Sequence, residues 1–129
     1  MPKILLVEDN EMNRDMLSRR LVRSGFDVVI AVDGGQGVAM ASTEKPDLIL
    51  MDMSLPVLDG WEATRRVKSD PATRDVRVVV VTAEGEEIRD HIIGLGADEY
   101  FTKPFSPTAL LRTVETVLAG PAESMPPGS

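Results

Sequence analysis

The chain contains no cysteine. That excludes a disulfide scaffold, a cysteine zinc site, an iron–sulfur cluster and a cysteine nucleophile. It contains one histidine, His91, which excludes a histidine-rich metal centre and weakens any Ser-His-Asp reading. Positive charge is short: 14 Lys and Arg stand against 21 Asp and Glu, a formal net charge of −7. Such a chain is a poor partner for nucleic acid, which needs clustered Lys and Arg, and for an anionic membrane surface. Long apolar runs are missing as well. The run after Met1 is closed by Glu8 and Asp9, too short for a signal peptide. No stretch approaches the ~20 apolar residues of a membrane span. The expected location is cytoplasmic, by default. No internal repeat is present, and Gly34, Gly35 and Gly37 lack the spacing of a dinucleotide-binding loop.

What is present is ordinary globular material. The 129 residues are 43% hydrophobic and 27% charged, and that length suits one domain. Short apolar runs, Ile4–Val7, Val28–Val32, Leu48–Met51, Val78–Val81 and Tyr100–Phe101, alternate with longer segments of helical period. Runs apolar on both faces suit strands buried between helices.

The helices read as follows. Asn10 caps the first, with Met16, Leu17 and Leu21 inward and Gly25 as its stop. The second covers Gly34 to Thr43. The third covers Leu58 to Ser69, with Trp61, Ala63, Thr64 and Val67 partly inward. A weaker one covers Glu86 to Gly94. In the last, Ser106 caps, Pro107 takes the first helical position, and Leu110, Leu111, Val114, Val117 and Leu118 form the apolar stripe. Five strand–helix repeats imply an α/β fold with a doubly wound parallel sheet and right-handed crossovers. The domain is expected over residues 1–119, followed by a disordered Pro/Gly-rich tail over 120–129.

In such a sheet, ligands bind outside the carboxyl ends of the strands. Glu8 and Asp9 follow the first strand, Asp52 and Ser54 the third, Thr82 and Glu84 the fourth, and Lys103 the fifth. If those strands are neighbours, Glu8, Asp9, Asp52, Thr82 and Lys103 converge. Clustered carboxylates repel one another unless a cation intervenes. With no His or Cys at the strand ends, the cation is a hard one, and Mg²⁺ fits best. Carboxylate, divalent ion, ammonium and hydroxyl together suit phosphoryl transfer, in which a carboxylate can itself be the acceptor.

Five motifs carry a family resemblance: Val7-Glu8-Asp9-Asn10, Leu50-Met51-Asp52-Met53, Leu55-Pro56-Val57-Leu58-Asp59-Gly60, Val81-Thr82-Ala83 and Thr102-Lys103-Pro104-Phe105. Each alone is weak; all in order at strand ends are specific. Over residues 3 to about 118 the chain resembles the receiver domain of two-component response regulators, of the single-domain chemotaxis-regulator type. The resemblance implies a flavodoxin-like five-stranded sheet of order 2-1-3-4-5 with five helices. It implies Asp52 as phosphoacceptor, loaded from a histidine kinase or histidine phosphotransfer protein. Mg²⁺ would be held by Asp9, Asp52 and the Ser54 backbone carbonyl, with Glu8 acting mainly through water. Lys103 would contact the phosphoryl group and precede a cis peptide at Pro104. Thr82 would bond the phosphoryl group and move toward it, and Tyr100 would turn inward as Thr82 moves. The output face would be the fourth helix, fifth strand and fifth helix.

On this reading the protein is a signalling switch rather than an enzyme with an external substrate. It catalyses its own phosphorylation and dephosphorylation. Its target would be a separate, unknown protein, and its expected state is a monomer or weak dimer. Lys103 follows Thr82 by 21 positions, often one fewer than in the family, so the segment around Glu84–Glu87 reads as a shortened loop or fourth helix. Ser54 and Glu84 stand where the family tunes dephosphorylation rate.

Three alternatives stand beside it. One is a phosphorylation-independent receiver-like binding module, against which the full Glu8, Asp9, Asp52, Thr82, Lys103 set argues. Another is the excised receiver of a larger protein. The third is an aspartate-nucleophile phosphatase. Those enzymes generally need Asp-x-Asp, whereas Ser54 stands two residues after Asp52. Alone, Glu8 and Asp9 would read as helix-capping acids, Tyr100 equally as plain core or as a switch, and His91 as a solvated helix residue.

Overall fold

The apolar runs form five strands and the periodic segments form five helices. A computed structural model describes residues 2–53, 59–82, 89–102 and 106–119. In chain order the elements are β1 (Lys3–Val7), α1 (Glu11–Arg23), β2 (Asp27–Ala31), α2 (Gly34–Thr43), β3 (Leu48–Asp52), α3 (Gly60–Ser69), β4 (Arg77–Thr82), α4 (Arg89–Gly94), β5 (Glu99–Thr102) and α5 (Pro107–Ala119). All strand pairs are parallel and the order is β2-β1-β3-β4-β5, as the resemblance implied. Among the described residues, no helix is long and apolar enough to cross a membrane.

Strand pleat sends alternate side chains to opposite faces, and the core divides accordingly. Leu5, Val7, Ile49, Met51, Val78 and Val80 pack with Ala41 of α2, Ala63 and Val67 of α3, and Ile92 of α4. Ile4, Leu6, Leu48, Leu50, Val79 and Val81 pack with Leu17 and Leu21 of α1 and with Leu110 and Val114 of α5. The three central strands are buried on both faces, which is why they read as unbroken apolar runs.

Several expectations need correction. Met16 is 37% exposed, because α1 buries only the stripe through Leu17 and Leu21. The second strand ends at Ala31, and Ile30 and Val32 are substantially exposed. As an edge strand, β2 has a neighbour only in β1, so its apolar residues are less covered than those of the centre. The predicted third helix begins at 58, but Asp59 is the extended cap of α3, which starts at Gly60. The expected start of the fourth helix, 86–88, lies outside the described residues, as does the expected tail over 120–129.

Caps agree with the helix starts. Asn10 Oδ1 accepts from the Asn13 N–H at 2.9 Å, Asp33 Oδ1 from Gln36 N–H at 2.8 Å and Asp59 Oδ1 from Glu62 N–H at 2.9 Å. Each satisfies one of the orphan donors of a first helical turn. Gly25 has φ +97° just past α1, a backbone state that favours glycine.

The entry of β5 is fastened. The Asp98 N–H donates to the Val78 carbonyl at 2.8 Å, and the Val78 N–H donates to Asp98 Oδ2 at 2.8 Å. Lys68 Nζ, from α3, donates to the Val76 and Arg74 carbonyls and lies 3.6 Å from Asp98 Oδ2.

Candidate functional site

Register sets which side chains meet. Val7 lies beside Met51, Asp52 beside Val81, and Thr82 beside Thr102. The carboxyl ends of β1, β3, β4 and β5 therefore finish nearly flush, and Glu8, Asp52 and Thr82 share one rim. All three are buried polar residues, at 4%, 4% and 3% exposure; Asp9 is exposed. Strand alternation splits them. Asp52 follows the parity of Leu48 and Leu50, toward the α1–α5 side. Thr82 follows that of Val78 and Val80, toward the side of α2, α3 and α4. Tyr100 is paired with Val80 and half-buried against that second cluster, so Thr82 and Tyr100 share a face.

One carboxylate oxygen from each of Glu8, Asp9 and Asp52 lies within 4.8 Å of the others. Two of these acids are buried, and carboxylates gathered this closely repel one another unless a cation lies among them. The donors are all hard oxygens, without nitrogen or sulfur, which is the donor set of Mg²⁺ rather than of zinc or copper. The cluster fits a small hydrated divalent cation shared by the three.

The loop carrying Glu8 and Asp9 is fixed from α1. The Asn10 N–H donates to Glu8 Oε2 at 3.1 Å, and Arg14 Nη1 donates to the carbonyls of Glu8 and Asp9 at 3.2 Å each. The Glu8 N–H continues the sheet ladder to the Ala31 carbonyl at 3.1 Å. The Asp52 side is fixed from β4 and α3. The Met53 N–H donates to the Val81 carbonyl at 3.0 Å, and the Gly60 N–H donates to the Met53 carbonyl at 3.2 Å. A Cβ on Gly60 would meet the Asp52 carbonyl oxygen and the Met53 backbone, so the start of α3 presses directly on the Asp52 turn.

The structure thus clusters Glu8, Asp9 and Asp52, and sets Thr82 on the neighbouring strand end with Tyr100 on its face. Ser54, Lys103, Pro104 and Glu84 lie outside the described residues, and with them the third metal ligand, the ammonium and the cis peptide that the resemblance implies. One supporting residue, Arg14, escaped the sequence reading, although it had a signal, a cation one helical turn past the Asn10 cap. Gly60 was quoted as the end of a motif, but its close approach to the Asp52 turn was not foreseen. His91 is exposed, but its ring also lies edge-on to Trp61, 4.7 Å between centroids.

Comparison with known proteins adds context. The sequence matches the response regulator receiver domain family over residues 4–115. It is 41% identical over 122 residues to Protein PilH of Pseudomonas aeruginosa, covering 93% of this chain and 100% of that protein. It is 42% identical over 120 residues to the DNA-binding dual master transcriptional regulator RpaA of Synechocystis, covering 92% of this chain and 49% of that protein. The chain thus spans about half the length of that regulator. Among solved structures it is similar to the receiver domain of sensor histidine kinase PA1611 from Pseudomonas aeruginosa, which has a magnesium ion coordinated in its active-site cleft. That match has a TM-score of 0.84 and 35% identity, covering 92% of this chain and 98% of the other. Chemotaxis protein CheY4 of Vibrio cholerae matches with a TM-score of 0.84 and 31% identity, covering 91% and 98%.

Proposed function

The chain belongs to the response regulator receiver domain family, and on that premise we propose that it is a phosphoryl-accepting switch whose acceptor is Asp52. The observation that carries the reading is the carboxylate cluster of Glu8, Asp9 and Asp52 at the strand ends, with the Thr82 hydroxyl on the neighbouring strand end.

In the proposed reaction an Asp52 carboxylate oxygen forms a bond to phosphorus as the P–N bond of a phosphohistidine breaks. The leaving imidazole nitrogen takes the electron pair and a proton. Water later attacks the acyl phosphate and regenerates the carboxylate and inorganic phosphate. Asp9 and Asp52, with the Ser54 carbonyl, would hold Mg²⁺, and Glu8 would act through water; the ion supplies charge neutralisation for phosphoryl oxygens. Thr82 donates its hydroxyl to a phosphoryl oxygen, and Lys103 supplies a second positive charge. The phosphoryl group adds charge and acceptor oxygens. Thr82 responds to them differently from a bare carboxylate, which biases a two-state element that includes Tyr100. The output face on this reading is α4, β5 and α5, and the partners are a histidine kinase or phosphotransfer protein and a downstream protein, in the cytoplasm. The DNA binding of RpaA is not carried over, since this chain spans 49% of that protein.

Intact-mass measurement after incubation with acetyl phosphate and Mg²⁺ tests the reading. A gain of one phosphoryl group is expected, abolished by chelation and by Asp52→Asn. A label that persists in Asp52→Asn overturns it.

A further inference from the structure

Tryptophan and histidine each occur once in this chain, at Trp61 and His91, and the two rings touch. Their centroids are 4.7 Å apart with an interplanar angle of 61°, the edge-to-face arrangement that aromatic quadrupoles favour.

Each partner is tied to a different part of the molecule. Trp61 directly follows Gly60, whose N–H is bonded to the Met53 carbonyl and where a Cβ would run into the Asp52 carbonyl oxygen. A shift of the Asp52–Met53 backbone therefore reaches Trp61 through the Gly60 hydrogen bond, one residue away. The Trp61 ring is half-buried against the same cluster that holds Met53, Ile92 and Tyr100. His91 sits on α4 beside Ile92, which is fully buried. Ile92 packs α4 into the core, and His91 meets α3 through the Trp61 ring. The contact spans the gap between the turn that carries Asp52 and the helix beside β5.

We propose that the Trp61–His91 contact couples the Asp52 turn to α4, with Trp61 and His91 as positioning residues. This route runs through α3 and is separate from the one through Thr82 and Tyr100. Its use in signalling rests on the reading of Asp52 as acceptor; its existence as a link does not. An aromatic pair of this kind is worth a bias of about two- to tenfold in the equilibrium of α4. Coupling is reciprocal, so breaking the contact changes the affinity of the Asp52 site by the same factor.

Because each residue is unique, the test needs no assignment by elimination. The ring-proton resonances of His91 are followed by NMR in the full chain at constant pH. Beryllofluoride and Mg²⁺ serve as the phosphoryl mimic, and the Thr82 amide reports site loading. The expected result is that the His91 and Thr82 signals move with one midpoint. In Trp61→Leu, Thr82 should still respond, His91 should not, and the beryllofluoride midpoint should change about two- to tenfold. A His91 signal that stays fixed while Thr82 responds overturns the proposal, as does one that still responds in Trp61→Leu. If neither signal moves, it is the Asp52 reading that fails, and Gly60→Ala decides the coupling without any ligand. That substitution pushes α3 off the Asp52 turn. It is expected to shift the His91 signal in the presence of Trp61 and to leave it unmoved in the Trp61→Leu background. An unmoved His91 signal in folded Gly60→Ala overturns the link.

Discussion

Gly60 leaves no room for a side chain beside Asp52. A Cβ there would run into the Asp52 carbonyl oxygen and come within 2.6 Å of the Met53 Cα and Sδ. Both opposing groups include backbone, which cannot swing aside. Gly60→Ala is therefore expected to destabilise the fold by about 1–3 kcal/mol, the usual effect of overpacking. It should also slow labelling by acetyl phosphate, because the strain falls on the peptide unit of Asp52, the proposed acceptor. Denaturant melts and intact-mass time courses measure the two effects. A variant with unchanged stability and labelling would show that α3 can retreat freely.

Arg14 bridges the carbonyls of Glu8 and Asp9 from the first turns of α1. It touches no carboxylate of the cluster, yet it sets where two of them stand. Losing one such charge-assisted contact at a partly exposed site is worth about 1 kcal/mol. Arg14→Ala should weaken Mg²⁺ binding about fivefold, read by calorimetry, with little change in melting temperature. Equal Mg²⁺ affinity in variant and parent would remove Arg14 from the site's support.

Thr64 is fully buried on α3, and among the described residues its Oγ1 has no hydrogen-bond partner. A buried hydroxyl left unbonded is unfavourable by about 1–3 kcal/mol, and valine has nearly the same shape. Thr64→Val should therefore raise stability by about 1 kcal/mol, with an unchanged denaturant slope. A destabilised variant would mean that the hydroxyl is satisfied.

Glu62 lies between two guanidinium groups on the outer face of α3. Its hydrogen bond from Arg65, then that from Arg66, lowers its carboxyl pKa from 4.5 to about 2. A depressed folded-state pKa means a contribution present above the unfolded value and lost as pH falls through the folded one. This pair should therefore be indifferent to pH between 7 and 5 and should fade between about 4.5 and 2. Salt should move the value back upward, since the pair is solvent-exposed. Side-chain carboxyl NMR titration reads both. A midpoint near 4.5 in low salt would contradict the geometry.

The fold was legible because its strongest signals are local. Val78–Val81 and Ile49–Met51 are apolar on both faces, which only a covered parallel strand requires. Asn10 and Pro107 mark helix starts by their own chemistry. Positions at the margin were harder. Met16 and Val32 are apolar but lie where the stripe or the sheet runs out, and composition does not show where an edge falls. In the candidate site, Glu8, Asp9, Asp52 and Thr82 were legible because strand ends converge in this architecture. The role of Arg14 was not, because its partners are main-chain carbonyls, which every residue carries and no side-chain pattern marks; Gly60 stood in a quoted motif, but its close approach to the Asp52 turn was not legible there. The Trp61–His91 contact joins residues 30 positions apart, through packing that no short-range pattern encodes.

The fastening of Asp98 to Val78 has a mechanical consequence. The entry of β5 is held by that bonded pair and by Lys68, and its ladder to β4 then runs from Glu99 beside Val79 to Thr102 beside Thr82. The two strands are thus stitched from entry to rim. A displacement of Thr102 along the sheet is shared by Thr82, so the rim of β4 and β5 shifts as one hem rather than as two loose ends.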